Sequence, residues 1–451
     1  MVRHRAPPSK ASDEAEAPIS FQDMSTHVAP YDVEAVRARF PALARRHGDA
    51  PVAWLDGPAG TQVPDACLDA IRDYLARSSS NTHGAFAASA ETDALIAGTR
   101  SAVADLLGAT DPDEIAFGPN MTTITFALSR AIGASLAPGD EIVLTRMDHD
   151  ANVAPWLAIA RERDLVVRWV GVEPVDCTLR LDDLDDALGP RTRLVAVGLA
   201  SNAVGTINPV REIADRVHAV GAHVWVDAVH GAPHVPIDVA TLGADFLVCS
   251  AYKIYGPHLG ILWGRRELLE ALPPYHVRPA GEAIPGRFET GTLAHELLAG
   301  LSGTLRHLEW LGVTQGGGPG EAGDADGRRP ERLRAALDAS RAHELGLVAR
   351  LIERVGSVTG VRIRGITDSG RAEERCPTIA FTIDGRHPAD VARHLGERGI
   401  FVWDGDYYAW ELIRALGLSE SGGMVRVGIV NYNTAAEVDR VGDALEALVS
   451  S

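Results

Sequence analysis

From Val33 onward, short β-branched apolar runs alternate with stretches of helical periodicity. The clearest runs are residues 141–145, 165–170, 194–199, 223–227 and 246–249. They are continuously apolar rather than alternating, as strands covered on both faces are, so together with the intervening helices they predict a mostly parallel α/β sheet. Residues 314–332 contain Gly-Gly-Gly-Pro-Gly-Glu-Ala-Gly-Asp-Ala-Asp-Gly, the composition of a flexible insertion with no reason to pack. Beyond it, runs at 361–364, 378–383, 400–403 and 424–430 predict a smaller α+β domain. The expected division is a disordered tail over 1–28, a segment over 29–50 packing with the small domain, a large domain over 51–305, and a small domain over 333–451.

Composition narrows the partners. With 451 residues, 46% apolar, 23% charged and a net charge of -18, the chain lacks the basic footprint that nucleic acid or an anionic membrane surface demands. No stretch approaches the roughly 18 apolar residues of a membrane span, and the N-terminus has no apolar signal core, so a cytoplasmic protein is expected. Cys67, Cys177, Cys249 and Cys376 lie far apart, without metal-ligand or redox spacing, and read as reduced thiols. No metal site is expected.

Against that background one residue stands apart. Lys10 and Lys253 are the only lysines among 43 basic residues, and Lys253 lies in the apolar run Phe-Leu-Val-Cys-Ser-Ala-Tyr-Lys-Ile-Tyr-Gly-Pro. Guanidinium stays protonated and is a poor nucleophile, whereas a desolvated amine can lose its proton and form a Schiff base with a carbonyl cofactor such as pyridoxal phosphate. The plainer account is an arginine-rich composition with Lys253 as its accidental survivor, and the neighbouring residues decide between the two. Asp227 ends the run 223–227, and in an open parallel sheet both side chains would face the crevice beyond the carboxyl ends of the strands. An aspartate there can pair with a protonated pyridine nitrogen, although it could also simply cap the following turn. Gly118-Pro-Asn-Met-Thr-Thr reads as a loop opening a helix, a place that favours an anion, and Ser250 and His230 could converge on the same group.

In this order the chain carries Leu55-Asp-Gly-Pro-Ala-Gly, Asn81-Thr-His, Asn120-Met-Thr-Thr, Asp148-His-Asp-Ala-Asn, Ser201-Asn-Ala-Val-Gly-Thr, Val226-Asp-Ala-Val-His, Ser250-Ala-Tyr-Lys, Arg287-Phe-Glu-Thr-Gly-Thr and Val425-Arg-Val-Gly. With these motifs it resembles the class V aminotransferase family of fold-type I pyridoxal phosphate enzymes, in its cysteine desulfurase-like branch, from about Trp54 to Leu448. The resemblance implies a mostly parallel seven-stranded sheet plus a smaller α+β domain, and a homodimer. It implies that Lys253 forms the Schiff base and shuttles the Cα proton, Asp227 holds the pyridine nitrogen, His149 stacks on the ring and Asn202 bonds the ring hydroxyl. Thr122, Met121, Ser250 and His230 would serve the phosphate, Tyr252 would flank the cofactor, Thr292 would reach over from the other subunit, and Arg426 would clamp the substrate carboxylate.

The chain departs from that pattern where desulfurases carry a nucleophilic cysteine, a position that corresponds here to Tyr408. A phenol cannot take up sulfur as a persulfide, which needs a thiolate. Trp403 stands where an arginine is expected, and Tyr252 where a histidine usually precedes the lysine. The aromatic cluster Trp403, Tyr407, Tyr408 and Trp410 reads as a pocket wall for a tail bulkier than that of cysteine, with Tyr407 or Tyr408 as proton donor. The expected activity is lyase chemistry at Cα, a β-elimination such as carbon-sulfur cleavage, without a persulfide-forming step. The alternatives are a class V aminotransferase or epimerase, and a non-catalytic cofactor-binding scaffold.

Overall fold

The computed structural model describes residues 30–323 and 325–450. The tail over 1–28, with Lys10, lies outside the described residues. The large sheet has seven strands: β1 (Ile115–Gly118), β2 (Glu141–Thr145), β3 (Val166–Val170), β4 (Thr192–Gly198), β5 (His223–Asp227), β6 (Phe246–Ser250) and β7 (Gly260–Gly264). Their spatial order is β1-β7-β6-β5-β4-β2-β3. β7 runs antiparallel to both its neighbours and the other pairings are parallel. The expected mostly parallel sheet is therefore present. β1 and β7 fall outside the five runs that the hydrophobic pattern singled out, because Ile115–Gly118 is only four residues long and Gly260-Ile-Leu-Trp-Gly is a short run framed by glycines.

Both faces of the sheet are covered. One core gathers Val195, Val197, Val224, Val226, Leu247 and Cys249, and the other gathers Leu194, Ala196, Trp225, Phe246, Val248 and Trp156. Alternate residues of each strand thus feed opposite cores, which explains why the runs are apolar throughout rather than every second residue.

The small domain is a four-stranded antiparallel sheet of β8 (Val361–Arg364), β9 (Thr378–Ile383), β10 (Trp403–Gly405) and β11 (Met424–Gly428), with its own core around Phe381, Val425, Val427 and Leu351. Residues 400–401 leave this sheet and pair parallel with Ala53–Trp54. That bridge ties the start of the large domain to the small one.

Two helices connect the domains, α1 (His295–Gln315) and α2 (Arg329–Gly356). The Gly-rich insertion between them is shorter than expected and does pack. Arg332 is fully buried and forms ion pairs with Glu309 (2.9 Å) and Asp326 (2.9 Å), while Gly323 N–H donates to Glu309 at 3.1 Å. The anchors are single charged residues flanking the glycines, which composition alone does not weight. The N-terminal segment packs at the junction of both domains, where Arg37 bonds the Tyr432 carbonyl and Glu437, and Phe40 packs edge-on against Tyr255 and His307.

The loop after β10 is held in place by Gly423. Its φ is +79°, and a Cβ there would lie 2.1 Å from the carbonyl oxygen of Gly405. Gly423→Ala is expected to destabilise the protein by about 1–3 kcal/mol, read from the denaturant midpoint, because both the backbone conformation and the close approach would have to give.

Candidate active site

Strand ends deliver the side chains. Lys253 closes a 3-10 turn (Ala251–Lys253) directly after β6, and Asp227 is the last residue of the adjacent parallel strand β5. His149 and Asp148 follow β2 after a short turn, and Asn202 follows β4. The crevice beyond these strand ends is roofed by the small domain, whose β11 carries Arg426. Lys253, Asp227, His149, Asn202, His230, Ser250, Met121, Thr122, Tyr252, Trp403, Tyr407, Tyr408 and Arg426 all face one cavity of about 540 Å³. Of the residues expected in the site, two do not line it: Thr292 lies in an exposed segment, and Trp410, expected in the aromatic wall, faces the adjoining open groove because the short helix Trp410–Ala415 turns it away from the cavity.

Lys253 is 9% exposed, and its Nζ donates to the carbonyl of Pro58 while lying 4.7 Å from the centre of the Tyr252 ring. Burial, reinforced by the charge of Arg426 and opposed by Asp227 and Asp56, brings the amine down to about 7. An amine in that state is nucleophilic at neutral pH.

The carboxyls of the cleft shift the other way. Asp227 accepts the Val229 N–H at 2.9 Å, and burial pushes it up to about 6 against the opposing pull of that hydrogen bond and of Lys253. Asp148 accepts from Gly198 N–H at 2.6 Å and from the Thr145 hydroxyl at 2.9 Å, and burial with the nearby Asp227 raises it to about 8. Asp56, in the turn beside Pro58, is raised to about 6 by burial. Neither Asp56 nor Asp148 was singled out in the sequence. The available signal for Asp148 was its place just past the carboxyl end of β2, the same position that identified Asp227.

Arg426 is 5% exposed, donates to the Asn202 carbonyl at 2.8 Å and lies 4.4 Å over the Tyr407 ring. Asn202 Nδ2 in turn donates to the Tyr407 carbonyl at 2.9 Å. The Tyr407 hydroxyl donates to the Met424 carbonyl, so this residue braces Arg426 and its proton is engaged. Tyr408 differs. It is 71% exposed, stacks on His149 with ring centres 5.4 Å apart, and its hydroxyl has no hydrogen bond among the described residues. Burial holds the His149 imidazole down to about 4, so it presents a neutral ring face.

Two buried polar atoms facing the cavity lack partners, Asn202 Oδ1 and His230 Nε2. At the far end Asn120 caps the helix Met121–Gly133 by accepting the Thr123 N–H at 2.8 Å, and Ser250 Oγ accepts the Met121 N–H at 3.2 Å. A flat pyridine ring bearing a hydroxyl and a phosphate fits this set. The carboxyl of Asp227 suits the ring nitrogen, the unpaired Asn202 oxygen suits the hydroxyl, and the helix start with Ser250, Thr122 and His230 suits the phosphate.

In cofactor-free protein, reductive methylation of Lys253 followed by peptide mass spectrometry is expected to show a midpoint near pH 7. Labelling should rise above that pH, because burial disfavours the ammonium form. Arg426→Met removes a neighbouring positive charge and is expected to move the midpoint upward.

Comparison with known proteins agrees with this geometry. The profile described as "Aminotransferase class-V" matches residues 53–316 and 333–441, skipping the Gly-rich insertion. A "Probable cysteine desulfurase" of Streptomyces coelicolor is 34% identical over 436 residues, covering 92% of this chain and 96% of that protein. Another, from Mycolicibacterium paratuberculosis, is 35% identical over 426 residues, covering 91% of this chain, which spans 57% of that longer protein. Among solved structures, the apo cysteine desulfurase of Thermococcus onnurineus NA1 has a TM-score of 0.81 at 26% identity, covering 92% of this chain and 98% of the other. The fold is that of fold-type I pyridoxal phosphate enzymes. The chain belongs to the class V aminotransferase family, and its cofactor is pyridoxal phosphate.

Proposed function

We propose that this enzyme is a lyase that cleaves the Cβ substituent of a cysteine-derived amino acid without forming a protein persulfide. The observation that carries the reading is the convergence of the buried Lys253, whose amine is brought down to about 7, with Asp227 and Arg426 on one cavity that also holds the free hydroxyl of Tyr408 and has no thiol among its lining residues. The relatives' names point to carbon-sulfur chemistry on cysteine.

Each residue then has a task. Arg426 binds the substrate carboxylate, braced by Tyr407 and the Asn202 carbonyl. Lys253, Asp227, His149, Asn202, Thr122, Met121, Ser250 and His230 would hold pyridoxal phosphate, with Tyr252 flanking it. The bound cofactor supplies an electron sink for the pair left at Cα. Lys253 Nζ takes the Cα proton, the Cβ–S bond breaks with its electron pair going to sulfur, and Tyr408 gives its proton to the leaving thiolate. Tyr408 is exposed and recovers that proton from solvent. The remaining three-carbon fragment takes up water and leaves as pyruvate and ammonia.

The cysteines support the absence of a persulfide step. All four are buried, and burial pushes Cys177 up to about 11 and both Cys249 and Cys376 up to about 12, far from the thiolate form that sulfur transfer needs. The exposed Thr292 fits a homodimer in which this residue completes the cofactor site of the neighbouring subunit.

Purified protein is expected to show a visible absorption band that borohydride abolishes, with the reduced cofactor mapped to the Lys253 peptide. Lys253→Ala should lose the band and turnover together. With S-substituted cysteines, pyruvate and ammonia should appear in equal amounts while the band recovers; accumulation of the pyridoxamine form would mean transamination instead. Tyr408→Phe is expected to lower kcat by about 100-fold with the band intact, and unchanged turnover would remove its role as proton donor.

A further inference from the structure

The wall of the cavity formed by residues 403–408 carries an unusual set of groups. Trp403 and Tyr408 line it with 51% and 71% of their surfaces exposed. Between them Asp404 and Asp406 line the same cavity, and neither carboxylate is in an ion pair among the described residues. Among the described residues the Asp406 carboxylate accepts only the Tyr408 N–H, at 2.9 Å. The nearby imidazole of His149 is neutral and offers no compensating charge.

The cations of the cavity are occupied elsewhere. Arg426 is fixed by the Asn202 carbonyl and the Tyr407 ring, where it meets a carboxylate, and Lys253 lies deep against Pro58. His230, 5% exposed with an unpaired Nε2 in the same cavity, marks it as a ligand site independently of the aspartates. Past Asp406 and Tyr408, which line both, lies an open groove of about 1070 Å³ whose wall holds Asp150, Trp410 and Arg161, together with Glu411, which is paired with Arg146 and Arg414. Asp150 is likewise outside any ion pair among the described residues.

A side chain leaving Cα toward this wall therefore meets ring faces and uncompensated carboxylates. Ring faces and carboxylates both attract a cation and repel an anion. We infer that the substrate is an α-amino acid whose tail ends in a cationic hydrogen-bond donor, such as an ammonium, guanidinium or imidazolium group. Asp404 and Asp406 are its specificity-determining carboxylates, and Trp403 and Tyr408 are its ring walls. The inference rests on the reading that the cavity holds pyridoxal phosphate and an amino acid.

The test titrates the visible band of the holoenzyme with three cysteine derivatives of similar size, S-(2-aminoethyl)-, S-propyl- and S-(carboxymethyl)cysteine, with alanine as the tail-less reference. The cationic tail is expected to bind about tenfold tighter than the neutral one, and the anionic tail about tenfold weaker. Asp404→Asn and Asp406→Asn should each reduce the cationic preference by about threefold, and the double variant should abolish it while S-propylcysteine affinity stays within about twofold. The unliganded band of each variant reports that it is folded and loaded. Equal affinity for the three tails, tighter binding of the anionic one, or a preference that survives in the double variant would overturn the inference. If no amino acid, alanine included, perturbs the band, the underlying cofactor reading falls with it, and that outcome differs from a perturbed band without charge preference.

Discussion

Desolvation of the Lys253 amine is the constraint on which the site depends. An ammonium at the end of a buried strand loses its water shell, and only Pro58 offers it a hydrogen bond among the described residues. The shared solvent exclusion raises Asp227, Asp148 and Asp56 as it lowers Lys253. The charge state of the cleft is therefore set by burial more than by a count of acids and bases. An arginine at position 253 would stay charged in that setting and could not serve as a nucleophile.

The small domain roofs this buried end of the large one. Its strand β11 brings Arg426 beside Trp403 of β10 in antiparallel register, and the loop that follows β10 lays Tyr407 under the guanidinium. Tyr407 and Tyr408 both adopt left-handed backbone angles, φ +55° and +58°, which cost about 1 kcal/mol or more each for residues with a Cβ. The Tyr407 hydroxyl and the Asn202 amide hold the loop in that shape. One consequence is that adjacent tyrosines have opposite roles. The first is locked into the frame, and the second is presented to solvent and to His149.

Buried polar groups record the division of labour between the domains. His234 pairs with Glu344 at 2.9 Å with both side chains almost fully buried, linking the loop after β5 to α2. His230 sits 5.5 Å from His234 and keeps its Nε2 free toward the cavity. Such a pair is costly to leave half satisfied, so it favours one relative placement of the elements that carry it.

Much of this was legible from the chain. Strands covered on both faces must be apolar at every position, so the parallel sheet was visible as uninterrupted runs, and a lysine just past one run stood out by residue type in an arginine-rich chain. β7 was missed because it is brief and bounded by glycine, and the packing of the Gly-rich insertion because Glu309, Asp326 and Arg332 come together only where α1, α2 and the segment between them pack together. What tertiary structure alone decided is which groups share a water-excluded space. Asp56, Asp148 and Arg426 are separated by tens to hundreds of residues, and Tyr407 and Tyr408 are neighbours, yet burial in one cleft shifts the first three together while a backbone turn sends the two tyrosines to opposite tasks. Local sequence specifies residue type and periodicity; solvent exclusion and direction depend on elements that meet only when the chain has folded.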